Sequence, residues 1–125
     1  MTIQEAILKQ VRFLRECQEQ RRLDALAASD AQNEYEKQEA IADRHLIDGI
    51  TCDSNGEEIT LSNDIARKAY IKNRTYEAKM VWNSAKAIAE SSSSKVEVER
   101  SALSAIKDLR EDAELDIKHL TKYDI

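Results

Sequence analysis

Proline is absent from the 125 residues, and the two glycines, Gly49 and Gly56, both lie between residues 48 and 61. Outside that window nothing obligatorily breaks a helix, because only these two residue types are strongly penalised in a helix interior. Aromatic residues are scarce, at 5% of the chain, so the apolar 42% is largely aliphatic and rich in alanine. Together with 34% charged residues, that profile suits helices with narrow cores and long solvated faces.

Other absences exclude whole classes of protein. Cys17 and Cys52 are the only cysteines and lack CxxC spacing, which leaves no metal or redox motif and points to free thiols in a reducing compartment. No run approaches the ~20 apolar residues of a membrane span. The start, Met1-Thr2-Ile3-Gln4-Glu5, has neither the basic stretch nor the apolar stretch of a signal peptide. The expected location is the cytoplasm of a cell or infected host, or a viral or phage particle. A net charge of −5 disfavours nucleic acid as a partner for the surface as a whole.

Candidate sites of chemistry fail on spacing. An EF-hand loop with Gly56 at its sixth position would put Thr51 first and Ser62 last, without the acidic first ligand or the final glutamate. His45 and His119 form no HxxxH or HExxH pattern. Both instead suit a helix end, where a cation complements the dipole. A di-iron site needs paired ExxH motifs, and Asp43-Arg44-His45 supplies none. The reading is therefore a protein without catalytic residues, cofactor or metal, and not an enzyme.

What is present is helical periodicity. Thr2-x-x-Glu5 forms a capping box. An apolar stripe follows through Ile3, Ile7, Leu14, Cys17, Ala25, Ala28, Tyr35, Ala42 and Leu46, interrupted by Arg21. This predicts a first helix over about residues 3–47, closed by Gly49 in a left-handed turn. Residues 48–61 change character. Ile50-Thr51-Cys52 and Ile59-Thr60-Leu61 favour strands, and Asn55-Gly56 suits a type I′ turn. A short β-hairpin is expected there.

A second helix is predicted over about 63–121. Its last stripe reads Val98, Ala102, Ile106, Leu109, Ala113, Ile117 and Leu120. Ser91–Ser94 allows two outcomes. The helix can run through, since serine costs only about half a kcal/mol relative to alanine. Alternatively Ser94-x-x-Glu97 caps a new helix that folds back. The fold class is all-α: one domain over 1–125, a long coiled-coil-like antiparallel helical hairpin, with a three-helix bundle broken at Ser91–Ser94 as the alternative.

The second helix is apolar on two opposite faces at about 100° per residue. Ile65, Ala69, Tyr76, Met80 and Ala87 lie on one side; Ile71, Ala78, Trp82, Ala85 and Ala89 lie on the other. Two faces need two neighbours. The expected arrangement packs Tyr76 and Met80 on the first helix and turns the Trp82 face to a partner, or to residues 95–121 folded back. Leu109, Ile117 and Leu120 extend the predicted interface.

Charge adds a register. If facing positions sum to about 109, Glu34, Glu36 and Glu39 approach Lys68, Lys72, Arg74 and Lys79, and Arg12 and Arg15 approach Glu97 and Glu99. The basic residues around Tyr70 and Tyr76 then pair with first-helix glutamates. Otherwise they meet an acidic protein or, interleaved with aromatics, a nucleic acid. Asp108, Glu111 and Asp112 head an acidic cluster beside Leu109. The functional expectation is an assembly or adaptor subunit binding a protein or a second copy. Its rivals are a small acidic inhibitor of a nucleic-acid-handling enzyme and a nucleic-acid-binding accessory subunit.

Overall fold

The computed structural model describes residues 1–49 and 64–123, without the side chains of 119–123. Two helices, α1 (Ile3–Asp48) and α2 (Asp64–Tyr123), pack against each other, and the described residues include no strand. The expected β-hairpin over 50–61 lies outside the described residues.

Local chemistry sets the helix ends. The Thr2 Oγ1 accepts from the Glu5 amide at 3.1 Å, and the Thr2 amide donates back to Glu5 Oε2 at 3.4 Å. This is the reciprocal capping box read from the sequence. At the other end Gly49 takes a φ of 72°, and its amide donates to the Leu46 carbonyl at 3.4 Å. An L-residue is disfavoured in that left-handed conformation, which is why glycine closes the helix.

The three-helix alternative is corrected, because α2 is helical through Ser91–Ser94. Ser94 returns its hydroxyl to the Glu90 carbonyl at 3.1 Å, and Ser92 donates to Asp24 on α1. Ser92 and Ser94 therefore bond their hydroxyls without breaking the helix.

Contacts divide the chain into two compact units: Met1–Asp24 with Ala89–Ile125, and Ala25–Ile88. In the first, Gln10 Nε2 donates to Glu99 Oε2 at 2.7 Å and to the Glu99 carbonyl at 3.1 Å, and Asp24 accepts from Ser92. In the second, Tyr35 stacks on Trp82, and His45 meets Tyr70. Within each unit, numbers rise on one helix as they fall on the other, so the two helical segments are antiparallel.

In each unit the seam positions recur every seven residues. On α1, Ile7, Leu14, Arg21, Ala28, Tyr35 and Ala42 are all buried or half-buried; on α2 so are Thr75, Trp82, Ala89, Val96, Leu103 and Arg110. A strict heptad keeps one face toward a neighbouring helix over many turns, which a 3.6-residue stripe does not.

Two charge expectations are corrected. Only Gln10–Glu99 fits the predicted register; Asp24–Ser92, Tyr35–Trp82 and His45–Tyr70 lie roughly one heptad beyond it. Among the described residues the ion pairs fall within single helices: Glu19–Arg22, Arg44–Asp48, Glu97–Arg100 and Arg110–Glu114. Exposed charge matches are worth at most about 1 kcal/mol each. Aromatic stacking and polar pairs in the seam outweigh them.

Candidate functional site: a basic groove and an acidic segment

The Ala25–Ile88 unit builds its seam from small residues and a few rings. Ala28, Ala31, Ala78 and Ala85 are half-buried and Ala42 is fully buried, so little side-chain volume separates the two helices there. Tyr35 and Trp82 fill the remaining space, with ring centroids 5.3 Å apart and planes inclined by 29°. Tyr70 is buried under a polar cluster. Its hydroxyl lies 3.2 Å from His45 Nδ1 and accepts from Arg74 Nε at 3.3 Å, and the Arg74 guanidinium sits 5.5 Å over the Tyr70 ring.

The expected faces of α2 are exchanged. Trp82 packs on α1, while Tyr76 and Met80, expected toward α1, are 58% and 49% exposed. Ile71, Ala78, Trp82, Ala85 and Ala89, predicted to meet a partner, are half-buried along the inter-helix seam instead. The physical reason is the length of each stripe. Seven-residue steps from Trp82 reach Ala89, Val96 and Leu103, whereas steps from Tyr76 reach Asn83 and Glu90. Only the first set stays apolar over successive heptads.

Beside that seam, Tyr35, Ile71, Tyr76 and Met80 line an open groove of about 380 Å³, edged by Lys68, Lys72 and Lys79. Lys79 Nζ lies 5.7 Å from the Tyr35 ring centroid, within cation–π range. The Glu39 carboxylate beside the Tyr35 hydroxyl, helped by burial, holds that phenol above its ordinary pKa; a contact with Thr75 pulls the other way. Thr75 is itself buried and donates to the Ile71 carbonyl at 2.8 Å. Arg74, grouped with the lysines in the sequence, belongs to the Tyr70 cluster.

The other predicted residues lie in the Met1–Asp24 and Ala89–Ile125 unit. Leu109 and Ile117 are each 63% exposed and Leu115 is 54% exposed. Asp108, Glu111, Asp112 and Asp116 are exposed around them. The Leu120 side chain lies outside the described residues. The sequence reading missed the roles of Gln10, Asp24, Ser92 and Glu99. Their signal was polarity at seam positions of the heptad, opposite one another on the two helices.

The groove is suited to receiving a partner that is apolar and anionic together. Rings and aliphatic side chains form its floor, and cationic side chains form its edge. Among the described residues no three of His, Cys, Asp and Glu converge as a metal site requires, and no helix is long and apolar enough to cross a membrane. Comparison with protein-family models, characterised proteins and solved structures finds no match to the chain.

Proposed function

We propose that this chain is a non-enzymatic assembly or adaptor subunit that works by helix-mediated association. The observation that carries this reading is the exposure of Leu109, Leu115 and Ile117 within a few turns of one helix. Large apolar side chains exposed at this density along one segment gain free energy when a partner covers them. The rest of the surface supports it. Among its described residues the first unit buries Ile7, Cys17 and Val96 but leaves nine large apolar side chains exposed. A protein partner or a second copy is the occupant this surface suits, and the overall charge of −5 argues against nucleic acid.

The test is Leu109→Glu combined with Leu115→Glu. Both positions are exposed, so helix content by circular dichroism stays at the wild-type level. Association, read as sedimentation mass and as capture of a partner from source lysate, is lost. Unchanged mass and unchanged capture overturn the reading. A second reading draws on the same segment: its exposed acids suit an inhibitor that occupies a basic protein surface in place of nucleic acid. That reading requires a monomer that binds such an enzyme one to one.

A further inference from the structure

The protein displays both halves of a complementary pair. Lys68, Lys72 and Lys79 edge the groove over Tyr35, and among the described residues none of them has a carboxylate within 4 Å. The segment 108–116 presents the opposite character. Asp108, Asp112 and Asp116 recur every four residues and therefore follow one side of α2, with Leu109 and Leu115 exposed beside them. We propose that the groove of one copy receives the 108–116 segment of a second copy. This inference rests on the assembly reading and names its partner.

The spacing supports the match. Lys68 and Lys72 are four residues apart, the interval that separates the acids. Two helices laid side by side thus bring successive lysines to successive aspartates, one pair per turn. Leu109 and Leu115 supply apolar contact for Ile71, Tyr76 and Met80. Because α2 is uninterrupted from Asp64 to Tyr123, the segment stays a preformed helix and needs no ordering on docking.

Salt gives a directional signature. Chains of net charge −5 repel on average, so screening strengthens an association driven by apolar contact alone. An association through Lys68, Lys72, Asp108 and Asp112 weakens instead as salt rises.

The experiment is sedimentation equilibrium of the full chain across ionic strengths, with circular dichroism as a check on folding. The expected mass exceeds that of a monomer at low salt and falls toward it at high salt. Lys68→Glu with Lys72→Glu lowers the association constant about tenfold or more, and Asp108→Lys with Asp112→Lys does the same. The chain carrying all four reversals associates again. Failure of that chain to recover overturns the proposal. So does a wild type that is monomeric at every salt concentration, or one that binds single-stranded oligonucleotide through Lys68 and Lys72 without self-association. If the reversals have no effect while Leu109→Glu with Leu115→Glu still abolishes association, the groove assignment falls and the assembly reading stands. If neither set has an effect, both fall.

Discussion

The two units fill the same seven-residue repeat in different ways. The Ala25–Ile88 unit sets alanines along the seam and gives most of the volume to Tyr35, Trp82 and Tyr70. The unit of Met1–Asp24 and Ala89–Ile125 spreads its volume over Ile7, Leu14, Cys17, Val96, Leu103 and Ile106, and punctuates them with Gln10–Glu99 and Asp24–Ser92. One seam concentrates its packing in a few rings. The other distributes it and fixes register with polar pairs, each of which is mismatched if the helices slide.

The largest expected difference follows from that concentration. Trp82→Ala removes a ring stacked on Tyr35 and should destabilise the protein by about 3 kcal/mol. Val96→Ala, at a fully buried position of the distributed seam, should cost about 2 kcal/mol for two lost methyl groups. Urea denaturation of both variants measures the contrast, and equal losses would dissolve it.

A smaller effect tests the polar pairs. Ser92→Ala leaves the Asp24 carboxylate with Gln20, whose Nε2 donates to Oδ1 at 2.9 Å, as its remaining partner. The expected loss is about 1 kcal/mol, since a lost bond to a charged group is partly offset by the better helix propensity of alanine. Hydrogen exchange should place that loss in the first unit. Protection lost evenly across both units would mean the pair does not act locally.

The smallest effect is a pH dependence in the aromatic unit. A raised phenol pKa means that folding favours the protonated form of Tyr35. The stability it contributes is complete below the unfolded-state value and is lost as pH rises through the folded one. The melting temperature should therefore decline more steeply at alkaline pH in the wild type than in Tyr35→Phe. Parallel declines would show that Glu39 does not act on this hydroxyl.

Much of the fold was legible in the sequence. The capping box at Thr2, the glycine turn at Gly49 and the passage through Ser91–Ser94 follow from local chemistry, and all three are present. The orientation of α2 is not legible from helical periodicity alone. A projection at 3.6 residues per turn shows two apolar faces of similar merit, and only a 3.5-residue period continued to Leu103 separates them. Register is not legible for a related reason: the surface charges that suggest one carry little energy as exposed pairs. Of the candidate site, Lys68, Lys72, Lys79 and Tyr76 were grouped from sequence. Tyr35 was not, because its place in the groove depends on contact with a residue 47 positions away.

The burial of Cys17 has a kinetic consequence. Its thiol lies in the seam of the first unit with 7% of the residue exposed, at the bottom of an open pocket, so an alkylating reagent reaches it slowly until that unit opens. In a Cys52→Ser background the labelling rate, divided by that of a free thiol, gives an upper limit on the fraction of molecules open at any moment. Nature has placed a single-residue clock inside one half of the molecule, and docking of a partner onto that half would slow it.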